Sequence, residues 1–361
     1  MGIVEPATER QLYHSGKVQT LWWSRPETAH WPGLRGHVPL SQPSRRMKPY
    51  ISVVLPVFNR AHCVGRAIDS VLGQIYSNRE LIVVDDGSTD GTCDRLASFG
   101  ERIQVIRQVN QGPSAARNAG IRAARGKFIA FLDSDDEWLP EKLEYQVALT
   151  SDERVVLSAT NWRSREPGDS CTGFDALAFE EPWICDRPAE LVSRPGGHHI
   201  MLSSWLVRRD ALLALGGFNN TLALAEDNDL LFRLSFVGHF ALTKRVLLFR
   251  ETALDSVKLS RPGSLEYHRE LARAMCIALA NARVLAFGES ALVQRQFSRM
   301  YAYWLRKEME FAALDGRNWA TRRLALEALV HHPDSRSALL ACTGTVFPPF
   351  IRWRMRRKYP T

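Results

Sequence analysis

Three stretches of the chain run apolar and then end in acidic or polar residues: Ile51-Ser-Val-Val-Leu-Pro-Val-Phe-Asn59, Leu81-Ile-Val-Val-Asp-Asp-Gly-Ser-Thr-Asp90 and Phe128-Ile-Ala-Phe-Leu-Asp-Ser-Asp-Asp136. Continuous aliphatic and β-branched runs of this length read as strands buried on both faces, the habit of parallel sheets. Helical segments between them make βαβ crossovers, so the strands point one way and their carboxylates collect at one sheet edge. Open α/β sheets bind ligands in the crevice outside that edge. An aspartate-lined crevice suits a divalent cation and the phosphates it carries.

The 361 residues suffice for one large core and an appendage. A net charge of +8 favours anionic partners. No zinc-finger, RNP-like or helix-turn-helix pattern points to nucleic acid, and a membrane surface or a phosphorylated substrate explains the charge as well. The six cysteines (63, 93, 171, 185, 276 and 342) show no close metal-type pairing and read as free thiols in a reducing cytoplasm. No apolar run approaches the ~20 residues of a membrane span. Met1-Gly-Ile-Val-Glu-Pro lacks the basic and then apolar regions of a secretory signal.

Residues 1–48 are rich in Pro, Gly, Arg and Trp without a period, and read as a poorly ordered N-terminal extension. The main domain is placed over 49–260. Its expected elements are a helix near Ala61–Leu72, a strand at Glu80–Val84 and a helix from an Asp90 cap to Phe99. A short strand at Ile103–Arg107 follows, then a helix opened by Pro113 and closed at Gly126, and a strand at Phe128–Leu132. The segment 151–197 gives no clear signal. Beyond it come a strand at Ser203–Val207, a helix at Arg209–Leu215 stopped by Gly216-Gly217-Phe218, and a helix at Glu226–Phe236. From Ser264 the chain turns alanine- and leucine-rich with helical spacing, over Ser264–Phe287, Ala291–Ala313 and Trp319–Val330. Residues 261–361 are therefore read as a helical segment, ending in the basic aromatic tail Val346-Phe-Pro-Pro-Phe-Ile-Arg-Trp-Arg-Met-Arg-Arg-Lys-Tyr359. That composition suits the headgroup zone of an anionic membrane, and a solvated basic terminus equally.

Asp133-Ser134-Asp135 sets two carboxylates two apart at a strand-to-loop junction, where both can reach one hard cation bridged by nucleotide phosphates. Alone, D-x-D is a weak signal, since strand-end aspartates are usually turn or cap residues; the apolar run before it and Asp136-Glu-Trp-Leu-Pro140 after it favour function. Asp85-Asp86 is either a capped βα loop or a carboxylate edge for a base or ribose, without the G-x-G-x-x-G of a dinucleotide site. Glu226-Asp227 is either a charged helix start or the source of a general base. Arg117 can pair with phosphate or with one of these aspartates. His198 and His199 follow two glycines and read as surface polarity more readily than as ligands.

In order and spacing, Pro56-Val-Phe-Asn59, Val84-Asp-Asp-Gly-Ser-Thr-Asp90, Asn110-Gln-Gly-Pro-Ser-Ala-Ala-Arg-Asn-Ala-Gly120, Phe131-Leu-Asp-Ser-Asp-Asp136, Gly216-Gly-Phe218 and Glu226-Asp227 with Asp229-Leu230 and Arg233 resemble the family 2 glycosyltransferases over roughly residues 50–250. The resemblance implies a GT-A fold, a three-layer α/β arrangement around a mainly parallel sheet. It also implies inverting transfer from a nucleotide-diphosphate sugar, UDP-linked, to a glycan or lipid-linked acceptor, assisted by Mg²⁺ or Mn²⁺. Carried over by residue, Pro56 and Phe58 flank the base, Asp86 hydrogen-bonds it, Asp133 and Ser134 sit near ribose or metal, Asp135 ligates the metal and Asp227 is the general base. Many relatives place a histidine after the last core strand; Phe249-Arg-Glu-Thr-Ala253 has none, so the resemblance supplies no third protein ligand for the metal. Trp162 and Trp205 are candidate sugar platforms, though core tryptophan is the plainer reading of each. A nucleotidyltransferase of similar fold and an inactive nucleotide- or membrane-binding scaffold are the other readings. The enzyme is expected in the cytoplasm, or peripheral at the inner membrane face.

Overall fold

The computed structural model describes residues 50–165, 173, 179, 181–194, 200–251, 264–331 and 353. The expected N-terminal extension, His198 and His199, Cys171 and Cys342, the boundary near 260 and the tail apart from Trp353 lie outside the described residues.

The three apolar runs are the strands β1 (Ile51–Val57), β2 (Arg79–Asp85) and β4 (Phe128–Phe131). Each is buried almost throughout, as the absence of alternation predicts. β1 pairs in parallel with both β2 and β4, and β2 in parallel with β3 (Gln104–Arg107). The crossovers are α1 (Val64–Leu72), α2 (Thr92–Ala97) and α3 (Pro113–Ala123). In register, Val57 lies beside Asp85 and Val54 beside Phe131, so Phe58, Asp86 and Asp133 all leave the sheet at one edge.

Beyond β4 come β5 (Glu137–Trp138), α4 (Lys142–Leu149), β6 (Val155–Ser164), β7 (Trp183–Cys185), α5 (Pro188–Ser193), β8 (Trp205–Arg208), α6 (Arg209–Ala214), α7 (Glu226–Leu234) and β9 (His239–Arg250). The sheet continues antiparallel from β4 to β8 and from β8 to β6, then parallel from β6 to β9. The far side of β9 takes β7 and β5, both antiparallel. The unclear 151–197 segment thus contributes two strands and a helix. β6 pairs along its length with the twelve-residue β9, and its ladder is broken by register shifts that blur the alternation sequence reading depends on.

Two expectations change in detail. The first helix begins at Val64 rather than Ala61, because residues 61–63 form a turn in which Ala61 N–H donates to the Asp90 carboxylate (3.2 Å). The third helix ends at Ala123 rather than at Gly126. Gly126 serves a different purpose: a Cβ there would sit 2.5 Å from Ser52 N and 2.7 Å from Phe128 O, so only glycine lets the chain press against β1 as it enters β4.

The C-terminal segment forms α8 (Leu265–Leu285), α9 (Ala291–Leu314) and α10 (Asn318–His331). Ser264 and Ser290 cap α8 and α9, their hydroxyls accepting from Tyr267 N (3.1 Å) and Val293 N (3.4 Å). Contrary to the expectation from apolar runs, Leu265–Gly288 is by length and composition apolar enough to cross a membrane. Its Ala272, Met275, Leu279 and Ala282 are nevertheless buried in the protein. Phe297 of α9 meets Phe232 of α7 at 5.5 Å and Phe236 at 5.7 Å. One hydrophobic cluster runs from Val54 and Ile82 in the sheet through α7 to Leu324 and Ala328 in α10.

Candidate active site

The acidic edge is assembled by loops that bind one another. Asn59, in the left-handed region at φ 53°, donates its N–H to Ser88 Oγ (2.9 Å) and accepts from Thr89 N (2.8 Å). This ties the loop after β1, with half-buried Pro56 and Phe58, to the loop after β2. Asp86 is buried, and its carboxylate accepts from Gln108 Nε2 (2.7 Å), Gln111 N (2.9 Å) and Gly112 N (2.8 Å). Those bonds fold the loop that starts α3 and fix the Asp86 carboxylate in place.

Arg117, on α3, joins the two halves of the edge. Its guanidinium donates to Asp133 Oδ1 and to Glu226 Oε1, both at 2.8 Å, and its side chain is 6% exposed. Burial works against the charge, but Asp133 and Glu226 more than offset it and hold the guanidinium above its ordinary pKa. Of the alternatives left open by the sequence, the structure has Arg117 on carboxylates. Burial pushes the Glu226 carboxyl up, with Arg117 opposing and Asp227 adding to the rise. Ala225, at φ 58°, holds a sparsely populated backbone conformation immediately before this pair. Asp227 Oδ1 accepts from Asn228 N (2.8 Å) and Nδ2 (3.0 Å); among the described residues, Oδ2 has no hydrogen-bond partner.

Asp133 and Asp135 are partly exposed, with the Asp133 side chain at 34%, while Ser134 and Asp136 turn inward. Ser203 braces the loop from behind: its Oγ accepts from Asp133 N (3.1 Å) and donates to Asp136 Oδ2 (2.5 Å), and its carbonyl accepts from Trp138 Nε1 (2.8 Å). Burial pushes the Asp136 carboxyl well above the usual range, with Asp133 and Asp135 adding to it. Among the described residues no three His, Cys, Asp or Glu side chains form a closed metal cluster. The donor set on offer is two partly exposed carboxylates at a loop, one of them shared with Arg117, which fits a Mg²⁺ or Mn²⁺ that completes its shell with phosphates and water.

The sequence reading missed Ser203, Asp136, Glu226 as the Arg117 partner, and Tyr267 on α8. Burial raises the Tyr267 phenol, and the charges of Asp227 and Glu226 raise it further while Arg250 opposes, so the first turn of α8 lies within the electrostatic reach of the candidate base. Nothing in the Ser264-Leu-Glu-Tyr267 string marks this; it follows from α8 packing on α7. Trp205 is fully buried, with Nε1 donating to Ile200 O (2.9 Å), and Trp162 is buried as well, so neither offers a face to a sugar. An open cleft of about 840 Å³ runs beside α1, lined by Gly65, Arg66, Asp69 and Trp138 among others. None of Asp86, Arg117, Asp133, Asp135 or Asp227 lines it. The chemistry therefore points to the strand-end edge and not to that cleft.

Residues 52–216 match the family model for glycosyl transferase family 2. The uncharacterised glycosyltransferase RP339 of Rickettsia prowazekii is 41% identical over 205 residues, 55% of this chain and 63% of the relative. WfgD of Escherichia coli, a UDP-Glc:alpha-D-GlcNAc-diphosphoundecaprenol beta-1,3-glucosyltransferase, is 42% identical over 101 residues, 27% of this chain and 40% of the relative. The matches to three longer Rickettsia glycosyltransferases span 19% of their length. Among solved structures, Staphylococcus aureus TarS 1–349 in complex with UDP-GlcNAc superposes with a TM-score of 0.59 at 16% identity, covering 86% of this chain and 92% of that one. At that identity the likeness establishes the fold, which is the GT-A fold with added C-terminal helices. Residues 52–216, a little under half of the chain, are thus similar to glycosyl transferase family 2.

Proposed function

We propose that the chain is an inverting glycosyltransferase that moves a sugar from a UDP-linked donor to a glycan or lipid-linked acceptor. The observation that carries this reading is the Arg117 bridge, which ties the D-x-D loop through Asp133 to the start of α7 through Glu226 (2.8 Å each), next to Asp227. A donor-diphosphate site and a proton acceptor on one edge are what a single displacement needs. WfgD, by its name, uses UDP-Glc and a diphosphoundecaprenol-linked acceptor. The TarS domain has been crystallised with UDP and with UDP-GlcNAc. Both support a uridine donor here.

In this reading Pro56 and Phe58 flank the uracil and Asp86 accepts from it. Asp133 faces the ribose and diphosphate with the buried Ser134 behind it in the same loop, and Asp135 with Asp133 would hold Mg²⁺ or Mn²⁺. The bound cation supplies charge neutralisation of the departing diphosphate. Asp227 takes the proton of the acceptor hydroxyl as that oxygen attacks the anomeric carbon opposite the nucleotide, and one in-line displacement inverts the centre. Arg117, already neutralised, positions Asp133 and α7. Residues 49–260 form the catalytic part and 261–361 the helical part, with the basic tail a contact for an anionic membrane at the cytoplasmic face.

The test is calorimetric titration of UDP, GDP, dTDP and CMP, with and without Mn²⁺, together with a turnover assay on UDP-sugars. Expected are metal-dependent UDP binding that Asp135→Asn abolishes, and an Asp227→Asn variant that binds UDP normally but loses turnover by at least about a hundredfold. Undiminished turnover in Asp227→Asn removes it as the base. No nucleotide binding at all favours the scaffold reading.

A further inference from the structure

α8 and α10 each present an apolar stripe that nothing in the described chain covers. On α8 it comprises Ile277 and Val284, seven residues apart and so on one face, continued by Phe287 in the turn that follows. Val284 is 76% exposed and Phe287 86%. On α10 it comprises Trp319, Leu326 and Val330, spaced by seven and four, with Trp319 74% and Val330 76% exposed. Both helices pack on α9. Arg283, next to Val284, lies 4.8 Å from the centre of the Tyr301 ring, and His331, next to Val330, lies 5.2 Å from the same ring. Single exposed apolar residues are ordinary, but six large ones on and beside two helices that both pack on α9 mark a contact surface.

Charge decides the occupant. Arg322 and Arg323 are exposed beside the α10 stripe, and Arg323 lies 5.4 Å over the Trp319 ring. Residues 346–361 then carry five arginines and lysines, interleaved with aromatics and with no acid. Aliphatic and aromatic side chains flanked by arginine are the pattern of a helix lying in the headgroup zone of an anionic bilayer. A protein interface instead depletes charge at its centre. Because the other face of α8 is committed to the core through Ala272, Met275 and Leu279, the helix can lie along a bilayer but not through it.

We propose that the α8–α10 face docks on an anionic lipid surface, with Ile277, Val284, Phe287, Trp319, Leu326 and Val330 at the acyl boundary and Arg322 and Arg323 at headgroup phosphates. This deepens the membrane contact of the preceding section, moving it from a tail to a folded surface, and it stands whichever donor the active site uses.

The experiment is co-sedimentation of the full chain with phosphatidylcholine vesicles, pure or containing roughly a third phosphatidylglycerol. UDP binding and sedimentation velocity are measured on the same samples. The variants are Val284→Glu with Phe287→Glu, and Trp319→Glu with Leu326→Glu; all four positions are exposed, so folding is spared. Expected is binding to the phosphatidylglycerol vesicles that each double variant weakens by at least about tenfold, with UDP binding unchanged. Absence of binding overturns the proposal, as does undiminished binding by both variants, which would leave the tail as sole contact. A wild-type dimer that the variants convert to monomer without loss of vesicle binding also overturns it and assigns the face to a second copy. Absence of UDP binding with normal vesicle binding strikes only the donor-site reading.

Discussion

Arg117 is the residue on which the site turns. It is buried between Asp133 and Glu226 on a helix whose first turn is Pro113, Ser114, Ala115 and Ala116. Removing the guanidinium leaves two carboxylates facing one another without a counterion. Arg117→Leu is therefore expected to cost about 3–5 kcal/mol of stability, read as a shift in the urea midpoint. Adding Glu226→Gln removes one of the stranded charges and should return about 1 kcal/mol or more. A double variant no more stable than the single would show that the bridge is not the coupling unit. Arg117→Lys should recover little, since a point charge cannot fork to two carboxylates. The neighbouring Asn118 has a structural role instead. It accepts from Phe218 N and donates to Phe218 O, both at 2.8 Å, which pins the Gly216-Gly217-Phe218 turn onto α3.

At the scale of elements, the site depends on how closely α3 lies on β1. A Cβ on Gly120 would meet Val54 Cγ1 at 2.4 Å and Cγ2 at 2.9 Å, and a β-branched strand residue cannot swing away. Gly120→Ala is expected to lift α3 from the sheet and cost about 1–3 kcal/mol. Arg117, one turn earlier on the same helix, would move with it, so turnover should fall in step with stability. Val54→Ala in the same chain should restore part of both. If Gly120→Ala leaves denaturation midpoint and turnover unchanged, the close approach is not a constraint. α7 is tied in similarly: Arg233 pairs with Asp229 (2.6 Å) and donates to Leu215 O (2.9 Å) and Gly217 O (2.8 Å). The sparse motif residues of the 110–120, 216–218 and 226–233 segments thus form one bonded knot.

Over the whole molecule, the helices after residue 264 share their core with the sheet. Phe297 is fully buried against Phe232 and Phe236 of the α7 region. Phe297→Ala is expected to cost about 3–5 kcal/mol and to lower a single calorimetric transition rather than split it in two. Two resolved transitions, only one of them moved, would mean that the helical segment folds separately. The continuity also explains how Tyr267, one turn into α8, comes under the influence of Asp227.

Strand patterning is local, so the three apolar runs sufficed to place β1, β2 and β4 in parallel and to bring Asp86, Asp133 and Asp135 to one edge. Helix signals carried by capping residues and 3.6-residue spacing were likewise legible for α3, α7 and the three C-terminal helices. What escaped was everything set by partners far along the chain. β6 and β9 lack clean alternation because their ladder is bulged and β6 is buried almost throughout. Trp162 and Trp205 have the composition of sugar platforms, but their burial depends on what packs over them. Whether Arg117 meets phosphate or carboxylate was open in the sequence and is decided by Glu226, 109 positions away. The order of residues determines which groups reach the edge; only the packed structure determines which of them are already spent on one another, because hydrogen bonds and desolvation act between neighbours in space.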